Sequence, residues 1–125
     1  MSIITIISDF GYADHYVAAI KASIYKLNSN LNVVDISHNI KKYNISHAAH
    51  SIRNVYKDFP ERSIHIICVK ASEKKERIVV VKINEHYFIS YDTGIFSLID
   101  LKENYTAVSV DYSILSSFPE KSIMG

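Results

Sequence analysis

The sequence predicts a three-layer α/β domain with a mixed, mainly parallel sheet flanked by helices. Two observations carry this. Short β-branched runs, apolar on both faces, alternate along the chain with segments whose apolar residues recur at helical spacing. Turn, capping and breaking residues separate the two kinds of segment, giving the order β-α-β-α-β, which implies right-handed crossovers and helices packed against the sheet.

Residues 3 to 7 are β-branched throughout and stop at Ser8-Asp9-Phe10-Gly11, so they read as a buried strand followed by a loop. From Asp14 to Leu27, Val17, Ile20, Ala22, Ile24 and Leu27 recur at helical spacing around Lys21 and Lys26, and Asn28-Ser29-Asn30 ends the helix. Leu31 to Ile36 is a second strand. Ser46 to Phe59 is a second helix, with Ser46 as its expected N-cap and Pro60 as its stop. A third strand is expected at Ile64 to Val69. After the charged stretch 72 to 77, Ile78 to Ile83 and Tyr87 to Ile89, joined by Asn84-Glu85-His86, read as a hairpin that interrupts the parallel pattern. Thr93 to Ile99 is expected to form a short helix and Tyr105 to Val110 a last strand, while 111 to 125 shows no clear periodicity.

The chain has 125 residues, 48% hydrophobic and 22% charged, the balance of one ordinary globular domain over 1–125. Its 14 Lys and Arg against 13 Asp and Glu leave no electrostatic surplus to draw it onto nucleic acid or an anionic membrane, so small neutral or zwitterionic partners fit better. Cys68, the single cysteine, lies in an apolar run and reads as a buried inert thiol in a reducing compartment. The apolar opening lacks a basic flank and is too short for a signal peptide or a membrane span, so a cytoplasmic protein is expected.

Glycines at 11, 94 and 125 alone permit neither a P-loop nor a G-x-G-x-x-G fingerprint. Asp9-Phe10-Gly11 spells the kinase metal motif, but it follows the first strand and no H-R-D loop precedes it. His47 and His50 lie three apart on the second helix without a third ligand at a recognisable spacing; they read as solvated histidines, and no metal is expected. His65 alternates with apolar neighbours and reads as a histidine paired inside the sheet.

Five segments carry a family resemblance. They are Ile6-Ile7-Ser8-Asp9-Phe10-Gly11-Tyr12-Ala13-Asp14-His15-Tyr16-Val17; Val33-Val34-Asp35-Ile36-Ser37-His38-Asn39-Ile40; Ala48-Ala49 with Tyr56-Lys57-Asp58-Phe59-Pro60; Ser63-Ile64-His65-Ile66; and Tyr87-Phe88-Ile89-Ser90-Tyr91-Asp92-Thr93-Gly94-Ile95-Phe96-Ser97-Leu98. In order and spacing the chain resembles the N-terminal domain of the S-adenosylmethionine hydroxide adenosyltransferases, relatives of the bacterial fluorinating and chlorinating enzymes.

The resemblance implies that S-adenosylmethionine is a substrate, with no further cofactor. It implies that Asp9 receives the ribose hydroxyls, that Asp14, beside Tyr16, lies near the methionine amino group, and that Tyr43 covers the sugar face. Asp92 and Thr93 would line the pocket floor. The chemistry suits these residues, since a carboxylate accepts two hydroxyl hydrogen bonds and a second carboxylate pairs an ammonium. On spacing alone, Asp9 reads first as a cap of the turn before the first helix, and only the resemblance reverses that order.

The family's hydrolytic members carry an Asp-Arg-His set that activates water, and the matching positions here are Lys70, Arg77 and Pro119. Pro119 offers no proton acceptor, Lys70 acts as a base only if desolvated, and Arg77 is left to hold an anion or the substrate carboxylate. Glu73, Glu76 and Glu120 are carboxylates able to replace the base, though nothing in the sequence places them. Family members continue into a C-terminal β-barrel and form trimers; this chain is expected to hold the N-terminal domain without the barrel, with a homotrimer as its implied assembly. Three functions remain open: hydrolysis of S-adenosylmethionine to adenosine and methionine, binding of adenosine or S-adenosylmethionine without turnover, and an inactive family remnant.

Overall fold

A computed structural model describes residues 3–102 and 105–108. The chain runs β1 (Ile3–Ser8), α1 (Tyr16–Leu27), β2 (Asn32–Ser37), α2 (Ile45–Val55), a 3-10 turn (Tyr56–Asp58), β3 (Ile64–Cys68), β4 (Ile78–Ile83), β5 (His86–Tyr91), α3 (Ile95–Ile99) and β6 (Thr106–Ala107). One sheet contains every described strand, in the order β2-β1-β3-β5-β4-β6. β2, β1, β3 and β5 are parallel, and β4 runs antiparallel between β5 and β6. The sheet is therefore mixed and mainly parallel, as its β-branched strands imply.

Alternation along the strands sends side chains into two separate cores. Ile4, Ile6, Ile66 and Cys68 pack under Ile20 and Ile24 of α1, while Ile7, Ile67, Val81, Ile83 and Phe88 pack on the opposite face under Ala48, Ala49 and Ile52 of α2 and Ile95, Phe96 and Ile99 of α3. Helices thus cover both faces and make three layers.

Boundaries differ from the sequence reading for local reasons. α1 begins at Tyr16, two residues later than expected, and its N-cap is His15, whose carbonyl accepts from Ala19 while its side chain makes no cap. α2 is capped by Asn44 rather than Ser46: Asn44 Oδ1 accepts from the His47 amide at 3.0 Å, which satisfies one orphan donor of the first turn. It tightens into a 3-10 turn at Tyr56 and stops at an extended Phe59, because Pro60 disfavours a helical residue before it. β3 ends at Cys68, one residue early.

The hairpin loop is two residues, Asn84 and Glu85, with φ of 49° and 64°; this left-handed pair matches the strand twist, so His86 pairs with Ile83 instead of belonging to the loop. α3 starts two residues later than expected because Gly94 takes a φ of 82° and breaks the backbone path at 94. Of the last expected strand, Thr106 and Ala107 pair with β4; 109 and 110 lie outside the described residues, as does 111 to 125. Among the described residues no helix is long and apolar enough to cross a membrane.

His65 is fully buried at the centre of β3, 2.6 Å from Thr5 Oγ1 and 3.0 Å from His86 Nδ1, between the rings of Tyr56, Phe59 and Phe88. It is paired inside the sheet. Burial, with the charge of His86 added, pushes it down to about 3, and burial lowers His86 as well. Above the ordinary value of 6.5 both folded and unfolded chains carry neutral imidazole; between 6.5 and about 3 only the unfolded chain gains the proton. Stability is therefore expected to fall on acidification through that window, by up to roughly 1.4 kcal/mol per pH unit for this group. Urea unfolding at pH 7 and pH 4.5 checks it: His65→Leu should flatten the difference, and an unchanged slope would refute the assignment.

Candidate functional site

β1 connects to β2 on one side and has β3 on the other, so the chain reverses its direction of travel across the sheet at this point. A crevice opens beyond the carboxyl ends of adjacent strands wherever that happens. A cleft of about 440 Å³ lies there, within the usual range of small-molecule sites, lined by Asp9, Phe10, Tyr16, Lys42, Tyr43, Cys68, Lys70, Glu73 and Tyr91.

Asp9 is the first residue after β1. It is half-buried, and desolvation raises its carboxyl above the usual value; its own backbone amide and the positive charges of Lys42 and Lys70 pull the other way without cancelling the rise. Asp9 faces the cleft and does not cap α1, whose N-cap is His15.

A chain of polar groups, buried at Ser8 and His38 and half-buried at Asp35 and Lys21, holds the Asp9 loop. Ser8 Oγ lies 2.5 Å from His38 Nδ1, His38 Nε2 lies 2.8 Å from Asp35 Oδ1, and Lys21 Nζ lies 2.5 Å from Asp35 Oδ2. The ionised Asp35 can only accept, so His38 Nε2 carries a hydrogen, and in the neutral ring Nδ1 receives the Ser8 hydroxyl. Burial pushes Asp35 up, but the bonds from His38 and Lys21 outweigh this and hold it below its ordinary value. Ser8 Oγ also accepts from the Phe10 amide at 3.3 Å, and the amides of Gly11 and Ile40 donate to the carbonyls of His38 and Ser8. Asp9 thus sits between two residues fixed by this network. The order Ser-His-Asp resembles a hydrolase triad, but Ser8 and His38 are buried and neither lines the cleft, so Ser8 is no nucleophile.

The structure brings Asp9, Tyr16, Tyr43 and Lys70 together and leaves other named residues outside the lining. Tyr16 stacks near Phe10, ring centroids 5.6 Å apart. Asp14 is exposed and off the cleft. Arg77 and Asp92 form an exposed ion pair at 3.1 Å, and the Asp92 amide donates to the Arg77 carbonyl. Thr93 donates its amide to the Tyr91 carbonyl, and its hydroxyl is buried without a hydrogen-bond partner among the described residues. Pro119 and Glu120 lie outside the described residues. Glu76 and Glu73 are both described, and only Glu73 reaches the cleft.

Lys70 Nζ stands 5.1 Å from the ring centre of Tyr91, and Lys42 Nζ lies 5.1 Å from that of Tyr43, each a cation-π contact. Phe10, Lys42, Cys68 and Tyr91 were not read from the sequence as cleft residues; Phe10, Cys68 and Tyr91 stand at or just past the carboxyl ends of parallel strands, and Lys42 lies in the loop after β2. Burial raises the Cys68 thiol strongly, with the Asp9 charge adding to it, so the thiolate is inaccessible near neutrality. His47 and His50 are exposed on α2, and among the described residues no three His, Cys, Asp or Glu gather as metal ligands.

Tyr43 has a φ of 67°, a left-handed conformation that side-chain-bearing residues adopt at a cost of about 1–2 kcal/mol. This strained residue lines the cleft, the kind of position where such conformations concentrate. Tyr43→Gly should leave stability unchanged or raise it by up to about 1 kcal/mol while weakening ligand binding. Paired thermal melts and titrations check this; a variant that loses stability and keeps full affinity would show the ring to be structural.

The fold and cleft define an α/β protein with an open crevice at the topological switch point of its sheet. The chain belongs to the S-adenosylmethionine hydroxide adenosyltransferase family: residues 4–124 match the model of that family's N-terminal domain. It is 33% identical over 105 residues to an (R)-S-adenosyl-L-methionine hydrolase of Methanocaldococcus jannaschii, covering 79% of this chain and 40% of that protein. Over 92 residues it is 27% identical to the enzyme of the same name from Thermus thermophilus, covering 74% of this chain and 36% of that protein. The chain therefore spans well under half the length of these curated relatives. Among solved structures, an uncharacterised conserved protein from Thermotoga maritima superposes with a TM-score of 0.77 at 24% identity, covering 85% of this chain and 43% of that one. A conserved hypothetical protein from Thermus thermophilus superposes at 0.73 and 20% identity, covering all of this chain and 58% of that one.

Proposed function

We propose that this protein binds S-adenosylmethionine in the switch-point cleft and hydrolyses it to adenosine and methionine. The observation that carries the reading is Asp9, a half-buried carboxylate fixed at the carboxyl end of β1 and facing a cleft lined by Phe10, Tyr16 and Tyr43. Asp9 accepts hydrogen bonds from the two ribose hydroxyls, and the tyrosines pack against the nucleoside.

In the hydrolytic step a water oxygen bonds to the 5′ carbon of the ribose as the carbon–sulfur bond breaks. Both electrons of that bond go to sulfur, and methionine leaves as a neutral thioether. The leaving group needs no proton, so the protein's tasks are to orient the water and take its proton. With Lys70 at the position matched by the family's aspartate and Asp9 engaged by ribose, Glu73 is the remaining cleft carboxylate among the described residues and is assigned as the acceptor.

Incubation of the purified chain with S-adenosylmethionine, followed by chromatography for adenosine, tests this. Glu73→Gln should reduce adenosine release at least tenfold with affinity retained, in line with general-base contributions of roughly 100-fold or more. The second reading, binding without turnover, is favoured by the ammonium of Lys70 at the aspartate position. It predicts heat on titration and no adenosine over a long incubation.

A further inference from the structure

Four charged side chains line the cleft, Asp9, Lys42, Lys70 and Glu73, and none makes an ion pair with another described residue. Charges without an ion-pair partner around one concavity can take a ligand's own charges as their complement. The ammonium groups of the two lysines stand over the rings of Tyr43 and Tyr91, contacts that bias where they lie. They flank Asp9 from two directions: Lys42 lies in the loop after β2, on one side of β1, and Lys70 follows β3, on the other side. Both charges are felt at the Asp9 carboxylate.

A nucleoside anchored at Asp9 by its ribose carries its 5′ substituent onward into the same cleft. The residues that the family resemblance pointed to for the amino-acid end do not reach it, since Asp14 is exposed away from the lining and Arg77 is paired with Asp92. We propose that Lys42 and Lys70 form a carboxylate-recognition subsite that binds the amino-acid end of an adenosyl amino acid. This rests on the nucleoside reading of Asp9 given above. Two ammonium groups fit an α-carboxylate, whose two oxygens each accept a charge-assisted hydrogen bond, while the Asp9 carboxylate offsets their repulsion of a sulfonium nearby.

Calorimetric titration of the full chain with S-adenosylmethionine, decarboxylated S-adenosylmethionine and 5′-methylthioadenosine tests the subsite. The expected result is that S-adenosylmethionine binds at least tenfold more tightly than its decarboxylated form. Lys70→Met and Lys42→Met should each weaken S-adenosylmethionine about tenfold and leave 5′-methylthioadenosine, which has no carboxylate, within twofold. Equal affinity for the carboxylated and decarboxylated ligands, or a lysine variant that weakens all three alike, overturns the subsite while leaving the nucleoside reading intact. Failure of all three ligands to bind the parent chain overturns the nucleoside reading and the subsite with it.

Discussion

Asp9→Ala should lower the affinity for adenosine at least a hundredfold while leaving the fold intact. Two hydrogen bonds to an ionised acceptor contribute about 1.5–3 kcal/mol each, and losing both removes at least about 3 kcal/mol of binding. Folding should not suffer, because desolvation raises the Asp9 carboxyl above 3.8, which means that the folded chain disfavours the charge it carries at neutral pH. Removing the carboxylate is therefore neutral or slightly stabilising. The same shift sets the pH response. The group protonates at a higher pH than an ordinary aspartate, so adenosine binding fades as pH falls through that raised value and returns as pH rises. Titration calorimetry across pH 4 to 7, with melting curves alongside, checks both halves. Unchanged affinity in Asp9→Ala would remove the ribose assignment.

His38→Ala is expected to give the largest loss of stability among the loop substitutions, about 2–4 kcal/mol. It opens a cavity at a buried ring, strands the Ser8 hydroxyl and takes from Asp35 one of its two strong partners. For a domain of this size the melting temperature should fall by roughly 10 °C. Because the network also fixes the residues on either side of Asp9, adenosine affinity should fall with it. His38→Gln, which keeps one polar arm, should recover part of both losses. Scanning calorimetry of the three proteins decides the matter; a change below about 2 °C in His38→Ala would mean that the network does not hold the loop.

Strand identity was legible in the sequence because the buried parallel strands must be apolar on both faces, and runs such as Ile3 to Ile7 and Ile64 to Cys68 have few other readings. Element ends were less legible. Asn44 and Ser46 are both good caps, and only the backbone path selects Asn44. The left-handed Asn84 and Glu85 were hidden because neither is glycine, and the usual Asn-Gly signal of a two-residue hairpin loop was missing. For the site, Asp9, Tyr16, Tyr43 and Lys70 were found through the family resemblance rather than through spacing. Lys42 stayed hidden because a lysine in a charged loop reads as solvated, and Glu73 was named only as one of three carboxylates that nothing placed; the cleft that gathers them exists only once β1, β2 and β3 lie side by side.

The pairing of Ser8 with Cys68 puts the exits of β1 and β3 next to each other. The charged groups of the cleft stand in the loops that leave β1, β2 and β3, while Ile6, Ile67 and Phe88 are buried in the cores. Mechanical support and chemical character are therefore assigned to separate residues. Reversing the charge at position 70 would give up its contact with the Tyr91 ring and leave the packing of Ile6, Ile67 and Phe88 in place, so the scaffold behaves as a socket whose rim can be altered separately from its walls.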